Sequence, residues 1–277
     1  MEFSEIYLPI TAELREVDAE LKAVANSLGG TSSSDIFRYF FSSSGKYLRP
    51  ILSLLSAKSI NNQLPESVDY ELTQLCVGIE LIHNASLIHD DIIDGDFIRR
   101  NQQNLNKIYG NKIAILTGDA LYSRAFFIFS DKLPKNFSKT MGKVTEAMSI
   151  SEILNARAST VNRETYLEIV EGKTAFFMSE CCGLGATLAG ANEEELIALS
   201  NYGQNLGIAY QILDDYIDKD SVAIKNISIE EAFKFASNAK DSIKNLKCSI
   251  YTESLINLVD YVLDFYEPTI KIPSIKI

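Results

Sequence analysis

No proline stands between Pro134 and Pro268, and none between Pro50 and Pro65. Proline removes a backbone donor and clashes with the preceding turn, so stretches without it are open to long helices. Apolar residues in these stretches recur at three-and-four spacing, over Tyr70 to Ile88 and Glu193 to Ile217, the period of a helix with a buried face. Alternation of the kind that half-buried strands show is scarce. The chain is therefore expected to be all-α, a single-domain bundle over residues 1–277 of about ten or more helices. Breaks are expected at Gly29-Gly30, Ser42 to Gly45, Asn61-Asn62, Gly95-Asp96, Gly110-Asn111, Leu133-Pro134 and Gly190 to Asn192. No repeat of fixed period is present, although two segments share the pattern D-D-x-x-D.

The formal charge of −11 argues against a nucleic-acid partner, which needs a positive face to neutralise phosphates. An anionic ligand would need local lysine, arginine or bound cations. The longest apolar run without charge, Leu196 to Leu213, contains Ser200, Asn201, Gln204, Asn205 and Gln211 and makes a poor bilayer span, so no stable membrane insertion is expected. The first residues, MEFSEIYLPITAEL, lack a basic start and a continuous apolar run, which predicts a cytoplasmic protein. Cys76, Cys181, Cys182 and Cys248 show no C-x-x-C spacing and read as reduced core residues.

On a helix, residues four apart share a face. Asp90 with Asp94, and Asp214 with Asp218, would each aim two carboxylates the same way. The plain alternative, a solvated acidic face, is the better reading of one such motif alone. Here both motifs follow segments that read as buried, Ala85 to His89 and Ile208 to Leu213, where unpaired charge is costly. A cation explains both together. Carboxylates without histidine or cysteine ligands suit Mg²⁺, which prefers a few carboxylates with water and phosphate oxygens. The implied ligand is a diphosphate or polyphosphate. Lys46, Arg49, Arg99, Arg100 and Lys173 flank the acidic clusters, and guanidinium groups match phosphate oxygens in pairs. The chain's two histidines, His83 and His89, lie just before the first motif; His83 is a candidate ligand contact and His89 reads equally well as structural.

In order along the chain stand Gly45-Lys46-Tyr47-Leu48-Arg49-Pro50, Glu80 to Asp94 with His83 and Ser86, Arg99-Arg100, Gly110-Asn111, Gly118-Asp119, Lys173-Thr174 and Gly207 to Asp218 with Gln211. This series resembles the trans-isoprenyl diphosphate synthases over about residues 44 to 218. The resemblance implies an isoprenoid synthase-like helical bundle with a central cavity, usually a homodimer. It implies three Mg²⁺ per site, with Mn²⁺ as a substitute, bridging Asp90, Asp94 and Asp214 to an allylic diphosphate, with Asp91, Asp215 and Asp218 completing the acidic set. Arg99, Lys173 and Lys219 would hold the allylic diphosphate. Isopentenyl diphosphate would bind Lys46, Arg49, His83 and Arg100, and Lys173, Thr174 and Gln211 would line the reacting end. The implied reaction is ionisation of the allylic substrate, 1′-4 attack by isopentenyl diphosphate and proton loss, with no side-chain nucleophile. Small residues at Ala85 and Ser86, just before the first motif, imply a product of geranylgeranyl length or longer, unless Phe126, Phe127 or Phe129 forms a deeper floor.

The chain departs from the family pattern at Ser44 and Tyr47, at Ser151-Glu152, and after Asp218, where Lys219 to Lys225 is shorter than the usual lysine-bearing closure. Those departures raise one alternative, a non-catalytic or regulatory subunit of a heteromeric synthase. A terpene cyclase or head-to-head synthase is the other, and it has no use for a separate isopentenyl diphosphate site.

Overall fold

The computed structural model describes residues 2–28, 30–43, 45–158, 161–219 and 225–266. Along the chain run α1 (Phe3–Ile6), a 3-10 turn (Leu8–Ile10), α2 (Thr11–Ser27), α3 (Gly30–Phe40), α4 (Leu48–Ile60), α5 (Glu66–Ile93), α6 (Leu105–Tyr109), α7 (Asn111–Lys132), α8 (Lys135–Arg157) and α9 (Arg163–Val170). A π-helical turn (Glu171–Ala175) leads into α10 (Phe176–Leu188), followed by α11 (Glu193–Ile217), α12 (Ile229–Ser242) and α13 (Ile250–Tyr266). The all-α expectation holds. One small departure is a hairpin, β1 (Ile98–Arg99) against β2 (Gln102–Gln103), with Ile98 opposite Gln103. Its two central residues, Arg100 and Asn101, take φ of 51° and 62°, the left-handed pair that a two-residue hairpin turn requires.

The chain divides into two compact units. One comprises Thr11–Ile51 and Glu66–Ser138; the other comprises the residues up to Ile10, Leu52–Pro65 and the residues from Lys139 onward. In the first, α7 packs along α5. The spacing of Leu75, Ile79, Ile82 and Ala85 on α5 buries them completely, as it does Ala114, Leu121, Ala125 and Phe129 on α7. Each large apolar side chain so buried contributes about 1.5–3 kcal/mol. Among the described residues α7 is the helix long and apolar enough to cross a membrane; it packs one face against α5 and α6, with 39% of that apolar window buried.

In the second unit, α10, the π-turn and α12 all pack on α11. Gly207 makes one of these close approaches possible: a Cβ there would stand 2.5 Å from the Cα of Ala175. Cys76, Cys181 and Cys182 are buried as expected, whereas Cys248 is exposed, because it precedes α13 in a connecting segment rather than lying on a packed face. Ser44 and Asp220 to Ile224, two places where the sequence departs from the family pattern, lie outside the described residues.

Candidate active site

Helices α5 and α11 share an electrostatic plan. Each begins with acidic residues, Glu66 and Asp69 on α5 and Glu193, Glu194 and Glu195 on α11, where the partial positive charge of a helix N-terminus favours them. Asn192 caps α11, accepting from the Glu195 amide at 3.0 Å while Glu195 accepts from the Asn192 amide at 2.9 Å. Each also ends in aspartates: Asp90, Asp91 and Asp94 close α5, and Asp214, Asp215 and Asp218 close α11. Carboxylates at the negative end of a helix oppose the dipole, and neither last turn contains a basic residue to offset them. The first cluster is fixed in place by Gly95 at φ +72°, by the Asp96 amide donating to the Asp91 carbonyl at 2.9 Å, and by Asn106 Nδ2 donating to the same carbonyl at 3.0 Å.

Within each motif the middle carboxylate is engaged by the protein. Asp91 is buried, and its Oδ1 accepts from Arg99 Nε at 2.7 Å and contacts Nη2 at 2.7 Å. Burial pushes its carboxyl above the ordinary value, against the pull of Arg99. Asp215 accepts from Tyr166 Oη on Oδ2 at 2.6 Å and from Gln211 Nε2 on Oδ1 at 2.8 Å. Gln211 Oε1 in turn accepts from Thr174 Oγ1 at 2.6 Å, so Thr174, Gln211 and Asp215 form one chain of bonds. Asp90 and Asp214 are half-buried in the last turns, and Asp94 and Asp218, four residues on and just past the helix ends, are exposed.

Three of the residues assigned to isopentenyl diphosphate come together in the first unit. Arg49 Nη1 lies 3.2 Å from His83 Nε2. Burial first, and then the positive charges of Arg49, Arg100 and Arg99, hold His83 well below its usual value and keep the ring neutral, so Nε2 accepts and the proton sits on Nδ1. The hairpin swings Arg100 onto Gly45, where a Cβ would meet its Nη2 at 2.6 Å, and Nη1 donates to the Ser43 carbonyl at 3.4 Å. Lys46 is exposed beside Gly45. Tyr47, at the first departure from the family pattern, turns to φ 53° and donates to Asp18 Oδ1 at 2.9 Å, so its side chain braces α2. His89 Nε2 lies 3.1 Å from the Ile115 carbonyl and 3.6 Å from Asp119, a packing role against α7.

Of the chain-length candidates, Ala85 is fully buried on α5 and Ser86 bonds back to the His83 carbonyl at 2.8 Å. Phe126 is half-buried, edge-on to Phe129 at 6.2 Å, and Phe129 is buried against Gly78, where a Cβ would stand 2.6 Å from its ring. Phe127 is exposed. In the second unit Lys173 Nζ meets Glu152 Oε1 at 2.6 Å, and Lys219 is exposed at the end of α11 with φ 57°.

Sequence reasoning gave no role to Tyr166 or Glu80. Tyr166 comes from a different helix, and nothing local marks it. Glu80 had a signal, a carboxylate one turn before His83 inside an apolar stretch. It is almost fully buried, its Oε2 lacks a hydrogen-bond partner, and its Oε1 accepts from Asn84 at 3.4 Å. Burial pushes its carboxyl up to about 7, against the pull of Arg49 and Arg100. In the folded protein it therefore keeps its proton above the pH at which the unfolded chain releases it. Between about pH 4.5 and 7 the wild type is expected to lose roughly 3 kcal/mol of stability as pH rises, a loss that Glu80→Gln does not share. Urea melts of the two proteins across that window check it; parallel curves would reject the assignment.

Among the described residues no three His, Cys, Asp or Glu side chains form a ready cage for a metal ion. The donor set fits Mg²⁺ nonetheless, since that ion takes one or two carboxylates and fills its octahedron with water and phosphate oxygens. The two acidic helix ends, with no basic residue in either last turn, are where a divalent cation is most favourable.

The sequence profile of the family described as polyprenyl synthetase matches residues 31–225. Over 190 residues the chain is 37% identical to a geranylgeranyl diphosphate synthase of Methanosarcina mazei, covering 65% of this chain and 57% of that protein. Over 230 residues it is 34% identical to a geranylfarnesyl diphosphate synthase of Natronomonas pharaonis, covering 75% of this chain and 67% of that protein. The chain thus spans little more than half the length of the Methanosarcina relative. Its fold matches the crystal structure of a decaprenyl diphosphate synthase from Rhodobacter capsulatus with a TM-score of 0.86 at 22% identity, over 96% of this chain and 100% of that one. The chain belongs to the polyprenyl synthetase family.

Proposed function

We propose that this protein is a trans-prenyl diphosphate synthase, condensing isopentenyl diphosphate with an allylic diphosphate to a product of geranylgeranyl length or longer. The observation that carries this reading is the pair of helices that each end in aspartates with no basic residue in the last turn. Asp90 and Asp94 at the end of α5, and Asp214 and Asp218 at the end of α11, would hold Mg²⁺, which when bound neutralises the charge of the diphosphate. Asp91 and Asp215 brace the two sets: Asp91 orients Arg99, and Asp215 fixes Gln211 and through it Thr174. Arg99, Lys173 and Lys219 stabilise negative charge as pyrophosphate departs, a preorganised electrostatic role. Arg49, Arg100, Lys46 and neutral His83 hold the second diphosphate, with His83 Nδ1–H as a donor. Thr174 and Gln211 keep the reacting end ordered, and the departing pyrophosphate takes the final proton. The two named relatives, synthases of geranylgeranyl and geranylfarnesyl diphosphate, support the substrate class. The comparisons give the regulatory-subunit alternative no support, and the acidic ends with the Arg49, His83 and Arg100 cluster favour an active synthase over it. Cytoplasmic location and a homodimer belong to the same reading; the exposed Ile115, Leu116 and Phe127 on α7 supply an apolar face for a second copy.

Product length follows from α5. Ala85 offers no obstruction one turn below the first motif, and the Phe129 ring seated on Gly78 lies twelve residues below Asp90, about 18 Å along the helix. That ring is the floor. Ala85→Phe is expected to shorten the product and Phe129→Ala to lengthen it, read by chromatography of the dephosphorylated alcohols after incubation with primers of different length. Unchanged products from both variants would reject the ruler.

A further inference from the structure

The contact between Glu152 and Lys173 is built from the backbone up. Lys173 lies in the π-turn Glu171–Ala175, a one-turn widening of the kind that recurs at functional sites. Beside it, Gly172 lets α8 come down onto the turn: a Cβ there would stand 1.9 Å from Ser151 Oγ and 3.1 Å from the Ala147 carbonyl oxygen. Ser151 thereby seats the helix, and the next residue, Glu152, meets Lys173 at 2.6 Å. Both side chains are partly exposed, at 23% for Glu152 and 35% for Lys173. Glu152 Oε1 is buried without an aligned hydrogen bond, so the contact is held by charge rather than by direction. The following residue, Thr174, begins the chain of bonds through Gln211 to Asp215, which places the pair beside the second acidic cluster.

We infer that Glu152 sets the affinity of this site for diphosphate by acting as the resident counter-ion of Lys173, which an incoming diphosphate must displace. The inference rests on the proposed role of Lys173 as an allylic diphosphate ligand. A diphosphate carries more negative charge than one carboxylate, so it wins the exchange, and the partly exposed Glu152 then turns toward water. What the exchange removes is excess affinity. Pyrophosphate is also the leaving product, and a lysine with a counter-ion ready to reclaim it releases that product more readily, which matters where release limits turnover.

The test is the binding of inorganic pyrophosphate with Mg²⁺ to the full chain by calorimetry, in wild type, Glu152→Gln, Glu152→Ala, Lys173→Gln and the double variant Glu152→Gln/Lys173→Gln. Both Glu152 variants are expected to tighten binding about threefold to fivefold, the worth of a partly exposed ion pair. In the Lys173→Gln background the Glu152 change is expected to have no effect, which separates competition for Lys173 from general repulsion. Unchanged or weaker binding in Glu152→Gln, with wild type binding normally and Lys173→Gln binding more weakly, would overturn the inference and leave the proposed function standing. Absence of pyrophosphate binding by the wild type would overturn the function, and the inference with it.

Discussion

Replacing Asp90 or Asp214 by alanine is expected to lower kcat/KM for prenyl condensation by about a thousandfold, because each removes a carboxylate anchoring the cation that holds the leaving group. The same change is expected to leave stability unchanged or raise it by up to about 1 kcal/mol. Both residues sit at the negative ends of long helices whose last turns hold no basic residue, a placement the helix dipole disfavours. Loss of activity with retained or increased stability is the signature of a group kept for function at the expense of the fold. Asp91→Ala should behave differently: it strips Arg99 of its buried partner, and a loss of stability of about 1–3 kcal/mol is expected. Steady-state kinetics together with urea melts of the three variants check the contrast. A variant at Asp90 or Asp214 with near-normal turnover would show that these carboxylates are a solvated acidic face.

Gly207→Ala is expected to destabilise the protein by about 2–3 kcal/mol and to reduce activity in what still folds. The added Cβ meets the Cα of Ala175 at 2.5 Å, and neither partner is a flexible side-chain end that can swing aside. The π-turn must retreat, taking Thr174 away from Gln211 and leaving two buried polar groups without each other. Gly142→Ala is the control. It lies within α8 with nothing inside 4 Å of the new carbon, and it is expected to stabilise by about 0.5–1 kcal/mol. Urea melts read both, and equal responses would show that the closeness of α11 to the π-turn is unimportant.

Much of the fold was legible because its punctuation is local. The breaks at Asn61-Asn62, Gly95-Asp96, Gly110, Leu133-Pro134 and Gly190 to Asn192 fall between helices as they stand, and Gly29 lies outside the described residues. The connection before α9 and the one before α13 carry no glycine or proline, and they went unseen. The hairpin was equally hidden, since its turn residues are Arg100 and Asn101 rather than a glycine pair. So was the π-turn, whose five residues look like any helical turn.

The acidic pairs and basic candidates were visible from spacing and type. What spacing alone withheld was the division of labour inside each motif: Asp91 and Asp215 face Arg99, Tyr166 and Gln211, and two of those three partners come from other elements of the fold. Ser151-Glu152 read only as a departure from a pattern. Its meaning lies in a contact with Lys173 twenty-one residues away that needs Gly172 to exist.

The most direct measurement is incubation of the purified protein with Mg²⁺, isopentenyl diphosphate and farnesyl diphosphate, followed by chromatography of the dephosphorylated products and assay of released pyrophosphate. The account expects alcohols longer than farnesol, with one pyrophosphate released for each isoprene unit added and neither seen when Mg²⁺ is chelated. Recovery of unextended farnesol alone, with elongation appearing only when a second polypeptide is supplied, would contradict it.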